Sequence, residues 1–256
     1  MLKIKLALLF IFLVLVGVGL VFGSRSNNIR IEQIYVEGNT FVFKDDVLKV
    51  VRGVLDGNVW FLFPRDNILY YPRKAIEKKI LDEYPEIERV GVSFRDFKSI
   101  EILVFERKEK ALWCESPDGG DEKCYLLDGE GFIFKEAGGY FDSANIKFTG
   151  DILGSPIGSS VMSKDEFKKT IIFAGSLLKY GLALSEIFVR DDRVREGELT
   201  VSGKIIWNAD QDLSLALLNL KSLVENENFK GKTKDGVVSV EYIDIQNSNK
   251  IFYKVR

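Results

Sequence analysis

VGVSFRDFKSIEILV, Val90 to Val104, alternates twice. Val90, Val92 and Phe94 interleave with Gly91, Ser93 and Arg95, and after the turn DFKS a second run carries Ile100, Ile102 and Val104. Residues two apart share one face of a strand, so the pattern specifies a β-hairpin with a single apolar face that needs a cover. The preceding residues supply it. Pro85 stops a helix over Arg73 to Tyr84, with Pro72 at its first position and Ile76, Ile80 and Tyr84 on one stripe. Lys44 to Leu55 predicts a second helix with Val47, Val50, Val51 and Val54 inward, Asp45 and Asp46 in its first turn and Gly57 past its end. Between the helices runs an aromatic loop, NVWFLFPRDNILYYP. Its Trp60, Phe61, Leu62 and Phe63 are expected to pack in part on their own helices, in preference to dipping into a membrane or meeting a partner's anchor. Ile29, Ile31, Ile34 and Val36 predict a strand that turns at Gly38-Asn39. Residues 29–107 thus read as a compact α+β unit, two helices on one face of a three-stranded sheet.

Upstream lies LALLFIFLVLVGVGLVF, Leu6 to Phe22, seventeen residues without a charge. Helical rise gives this run roughly 25 Å, enough to cross the hydrocarbon core once Ile4 and Gly23 are counted. Lys3 and Lys5 precede it, and the positive-inside bias sets residues 1–5 in the cytoplasm and everything after the spacer 24–28 outside. A cleaved signal peptide is the competing reading. The length of the run and the lack of an A-x-A site favour an uncleaved anchor over residues 6–23.

Composition bounds the rest. About 230 residues rich in Val, Ile, Leu and Phe can bury a substantial core. The net charge of −2, with no basic stripe, excludes nucleic acid as an expected partner. Histidine is absent, which removes the commonest general base and zinc ligand, and two cysteines cannot by themselves close a structural metal site. No metal, cofactor or small-molecule substrate is expected. The two cysteines, Cys114 and Cys124, flank the polar loop ESPDGGDEK. In an oxidising compartment they can pair, worth roughly 3 kcal/mol on the chain-entropy model. The alternative is two independent thiols.

Residues 108–256 read as a second domain. CYLLDGEGFIFK, Cys124 to Lys135, is a hairpin signal around Asp128-Gly129. Ser163 and Glu166 form a capping box for a helix bearing Phe167, Ile171, Ala174 and Leu178 and closed by Gly181. Leu184 to Val189 and Glu198 to Trp207 predict strands joined by a charged turn, DDRVREG. Gln211 to Val224 predicts a helix with Leu213, Leu217, Leu220 and Val224 on one face. Val237 to Ile245 and Ile251 to Val255 close the chain as a hairpin around NSNK, with an alternation slip at Tyr242-Ile243 that calls for a bulge or two-sided burial.

The order of elements, with VEGN at Val36 to Asn39, YPEIERVGVSFR at Tyr84 to Arg95 and IEILVFERKEKALW at Ile100 to Trp113, resembles the POTRA domain of the FtsQ/DivIB family. The Asp128 hairpin resembles the DxxG hairpin opening that family's β-domain, and VEYIDIQNSNKIFYK resembles its terminal block. Phe97 and Lys108 stand where the family favours proline, and Gln246 where it favours arginine. The resemblance implies a single-pass protein of the cytoplasmic (inner) membrane that catalyses nothing. It also implies partners, FtsB/DivIC-like and FtsL-like coiled-coil division proteins, held by the β-domain and linked through it to septal wall synthesis. Strand addition to an open sheet edge is the physical means. The candidate surface is Tyr242, Ile243, Asp244, Ile245, Ile251, Phe252 and Tyr253, residues that can equally fill the domain core.

Two alternatives stay open. A POTRA-type transport or assembly adaptor would receive extended polypeptide on the first unit. A membrane-anchored wall hydrolase would need paired carboxylates, for which Asp45-Asp46, Asp82-Glu83 and Asp191-Asp192 are the candidates, each more simply a solvated charge pair.

Overall fold

A computed structural model describes residues 2–115, 122–138, 146–152, 154–190, 193–230 and 239–255. The chain is α+β and divides into two compact units, Met1–Arg107 and Lys108–Arg256.

The first unit begins with α1 (Leu2–Ser24), long and apolar enough to cross a membrane and with none of its most apolar eighteen-residue stretch buried in the protein. A 3-10 turn, Asn27–Ile29, leads to β1 (Gln33–Glu37). The strand starts later than the sequence predicts. Ile29 and Ile31 bond instead to the 66–68 segment, through Ile68 N–H to Ile29 O (2.9 Å) and Ile31 N–H to Asp66 O (2.8 Å). Then come α2 (Lys44–Leu55), a short hairpin of β2 (Asn58–Val59) and β3 (Phe63–Pro64), α3 (Arg73–Glu83), β4 (Ile87–Asp96) and β5 (Ser99–Glu106). In the main sheet the order is β1-β5-β4, with β1 parallel and β4 antiparallel to β5.

The helices present the faces that their periodicity encodes, with small corrections. Val47, Val50 and Val51 are buried on α2, but Leu55 takes the place expected of Val54. Ile76 and Ile80 are fully buried on α3, and Pro72 caps the helix from one position before its first turn. On the sheet, Val92, Ile100, Ile102 and Val104 meet them. Phe94 pairs with Ile100 in the same register, ahead of the shift between Phe94 and Asp96, yet it is 54% exposed and stands edge-on to Phe97 at 5.9 Å.

The VEGN turn meets the end of β5 in space. Gly38 has φ +82°, and a Cβ there would lie 2.3 Å from the carbonyl oxygen of Val104, so only glycine fits. The Glu106 carboxylate accepts the backbone N–H groups of Thr40, Phe41 and Val42 at 2.8–3.0 Å, tying the end of β5 to the entry of α2. Arg107 donates to Pro85 O at 3.0 Å.

The aromatic loop overturns its expectation. Trp60 is 83% and Phe61 92% exposed, and Leu62 is exposed as well. Their backbone explains it: Val59 accepts from Leu62 N–H (3.1 Å) while Trp60 and Phe61 hold φ of 49° and 62°, as at the two centres of a type I′ turn, which aims both side chains away from the helices.

The second unit contains β6 (Ala111–Glu115), β7 (Cys124–Leu127), β8 (Ile133–Glu136), β9 (Lys147–Gly150), α4 (Lys164–Leu177), β10 (Leu184–Val189), β11 (Val194–Leu199), β12 (Lys204–Asn208), α5 (Leu213–Glu225), α6 (Glu227–Lys230), β13 (Val240–Asp244) and β14 (Phe252–Val255). Among the described residues they form one mixed sheet in the order β14-β13-β12-β11-β10-β9-β6-β7-β8. α4 connects the parallel pair β9 and β10, and α5 with α6 connects the parallel pair β12 and β13. Both crossovers cover the sheet, so Phe167, Phe173, Leu177, Leu213 and Leu220 pack on Phe148, Ile187 and Trp207.

Ser163 caps α4, accepting Glu166 N–H at 3.3 Å, and Gly181 closes the following 3-10 turn with φ 72°. The buried stripe of α4 is Phe167, Thr170, Phe173, Ala174 and Leu177; Leu178 is 62% exposed because the helix tightens before it. On α5, Leu213, Ala216 and Leu220 are buried, while Leu217 and Val224 are half-buried. Of DDRVREG, Val194 to Gly197 belong to a strand, and Asp191 and Asp192 lie outside the described residues. Val194 onward is strand β11, and the expected strand Glu198 to Trp207 breaks at Thr200–Gly203, where Gly203 has φ +88° and accepts from Leu199 N–H. Cys114 and Cys124 stand opposite each other on β6 and β7 and are joined by a disulfide, which favours pairing over two independent thiols.

Candidate partner-binding edge

β14 ends the large sheet: it pairs with β13 and, among the described residues, has no strand on its other side. Its placement begins at Gly203, where a Cβ would lie 2.1 Å from Val240 O, so the absence of a side chain lets β13 close on β12. The turn between β13 and β14 is then stapled from below. Gln211 Nε2 donates to Ile245 O (2.5 Å), Gln246 Nε2 to Asn208 Oδ1 (2.8 Å) and Asn219 Nδ2 to Ser248 O (2.8 Å). Gln246 thus ties the turn to the end of β12. Such bonds fix the edge without occupying it.

The alternation slip has a structural counterpart. A register shift between Val240 and Tyr242 against β14 lets Val240, Ile243 and Ile245 all face the core. Ile243 and Ile245 are 0% and 2% exposed, so their side chains do not reach a partner. Tyr242, Asp244 and Ile251 are half-buried, and Asp244 accepts Gln246 N–H at 3.0 Å. Tyr253 lies opposite Ile243 and edge-on to Phe229 at 5.2 Å, facing the core side. Phe252 is the outward residue, 53% exposed.

Lys254 is the charged guard on this edge. Glu241 Oε2 lies 2.7 Å from its ammonium, and that hydrogen bond and charge hold the Lys254 pKa above its usual value. The edge therefore offers backbone groups, one large apolar side chain and a locally compensated charge, a combination suited to an extended peptide.

Of the carboxylate pairs considered for hydrolysis, the two that are described are committed to their own helices. Asp45 and Asp46 sit in the first turn of α2, where they complement its positive end. Asp82 and Glu83 form i,i+4 ion pairs with Lys78 and Lys79 at 2.6 and 3.5 Å. Asp191 and Asp192 lie outside the described residues. A cleft between α4 and α5, lined by Phe173, Leu217 and Asp212, is likewise committed: Asp212 accepts Ser214 and Leu215 N–H as the cap of α5. The group Cys114, Glu122 and Cys124 has ligand-like spacing, but its two sulfurs are bonded to each other.

Sequence reasoning missed Arg195, assigned to a solvated turn. It is 6% exposed, and its Nε and Nη2 lie 2.9 and 2.8 Å from Glu166 Oε1. Only tertiary packing marks it out, since one strand residue and one helix residue 29 positions away supply the pair. No protein-family model matches the sequence, and no curated protein matches it.

Proposed function

We propose that the chain is a membrane-anchored scaffold of the FtsQ/DivIB type, a POTRA domain followed by a β-domain, that performs no reaction. It holds FtsB/DivIC-like and FtsL-like coiled-coil division proteins outside the cytoplasmic membrane by adding a partner strand to β14. One observation carries the reading: β14 is the terminal strand of the large sheet, braced by a stapled turn, with Phe252 outward. The quoted POTRA and terminal-block residues supply the family side of the argument.

The test is co-purification of the full chain with the extracytoplasmic parts of the organism's short coiled-coil division proteins. Phe252→Glu should weaken capture about 30-fold or more, the effect of losing an interface anchor worth about 2 kcal/mol. Its exposure leaves folding intact. Equal capture by native and variant protein would refute this edge.

The adaptor reading has an observation of its own. β4 is a ten-residue edge strand of the first unit. Charges at Glu88, Arg89, Arg95 and Asp96 and two register shifts blunt it, the usual protection against stray pairing. Client binding abolished by changes on β4 and unaffected by Phe252→Glu would select that reading.

A further inference from the structure

We infer that the Trp60-Phe61 turn is a second membrane contact, seated in the lipid interface where α1 leaves the bilayer. The inference rests on the reading of α1 as a membrane span, and adds to it a site and its occupant. The end of α1 is not free of the unit that follows. Ser24 is buried, its carbonyl accepts Asn67 Nδ2 at 2.9 Å, and Arg25 Nη2 donates to Leu62 O at 3.4 Å. Asn67 is itself 0% exposed, so the bond is internal.

These bonds hold the β2–β3 turn beside the last residues of the helix. The surface around that point is apolar: Trp60, Phe61 and Leu62 continue into Leu69 and Tyr70, and Phe63 lies edge-on to Tyr70 at 6.2 Å. Phe22, the last large residue of α1, is 74% exposed. A single apolar surface thus runs from the helix onto the folded unit, and the phase that covers the helix reaches the turn as well. Trp and Tyr at that level, with Arg25 and Arg65 exposed close by in sequence, match the chemistry of the lipid headgroup boundary.

The turn is also built against local preference. Two consecutive left-handed residues favour Asn-Gly, yet Trp and Phe occupy them, and neither gains burial in the protein. Water offers no compensation for large apolar side chains in such a conformation. A lipid interface does. Two fixed contacts, span and turn, would set the tilt of the first unit over the bilayer.

The full chain is reconstituted in vesicles of phosphatidylcholine and phosphatidylglycerol, with brominated phosphatidylcholine as quencher. Anchoring is scored separately by resistance to alkaline carbonate. Trp113 and Trp207 are each 1% exposed, and the double substitution Trp60→Asn, Phe61→Gly, which suits the turn, provides their background. The expected result is a blue-shifted Trp60 emission lost most strongly to bromines placed near the headgroups. A chain that resists carbonate but whose Trp60 emits as in water, unquenched, would overturn the lipid contact alone and assign the patch to a protein partner. A chain released by carbonate would overturn the anchoring reading and this inference with it.

Discussion

Replacing Arg195 by Met should destabilise the second unit more than any surface charge change in it. The guanidinium side chain is 8% exposed, and besides Glu166 it reaches the carbonyls of Arg190 and Val194 at 2.9 and 3.2 Å. Met fills much of the volume but leaves those acceptors and the Glu166 carboxylate without the cation. Breaking a buried pair from one side costs about 3–5 kcal/mol. The Glu166 side chain is 19% exposed, so some water reaches it, which places the expected loss near the lower end, about 3 kcal/mol. The assay is urea unfolding of the full chain in detergent, followed by the emission of Trp113 and Trp207, both buried in this unit. Adding Glu166→Gln to Arg195→Met removes the orphaned charge and should recover about 1 kcal/mol or more. A single-variant loss below about 1 kcal/mol, or no recovery in the double variant, would refute the view that this pair is an internal strut.

Three further outcomes follow from the packing. Gly203→Ala forces a Cβ against Val240 O at a positive φ and should cost more than about 2 kcal/mol, whereas Gly57→Ala, at φ +84° with nothing within 4 Å, should cost only about 1 kcal/mol; equal losses in urea unfolding would contradict the close-approach argument. Replacing both Cys114 and Cys124 by Ala should lower the unfolding free energy by about 3 kcal/mol, and a free-thiol mass in the native protein would remove the bridge from the account. At Lys147, burial opposes the charge, but Glu122 and Glu186 outweigh it and raise the pKa, and burial raises that of Tyr125. Raised folded-state values stabilise below the unfolded pKa, so the second unit should hold its stability through neutral pH and lose it as pH climbs past about 10. Stability that stays flat through that range would contradict both assignments.

The elements legible in sequence were those whose periodicity and burial agree. α2 occupies the span its valines mark, and β5 presents Ile100, Ile102 and Val104 as alternation requires. Such patterns are set by neighbours within a few residues. What escaped depends on distant ones: β9, the short β2–β3 hairpin, the exposure of Phe94, and Arg195. The proposed edge is an intermediate case. The terminal hairpin and its slip were visible, but only the sheet order separates Phe252, which faces out, from Ile243 and Ile245, which face the core. Trp60 and Phe61 misled for a related reason, since apolar composition points inward and their left-handed backbone points out.

The central claim is strand addition at β14, and backbone hydrogen exchange reads it most directly. The outward amides of an edge strand exchange freely until a partner pairs with them, while those bonded to β13 are already protected. With the extracytoplasmic coiled-coil segments added to the full chain, the account predicts new protection within Phe252–Val255. Protection that appears along β4 instead, with β14 unchanged, would contradict it.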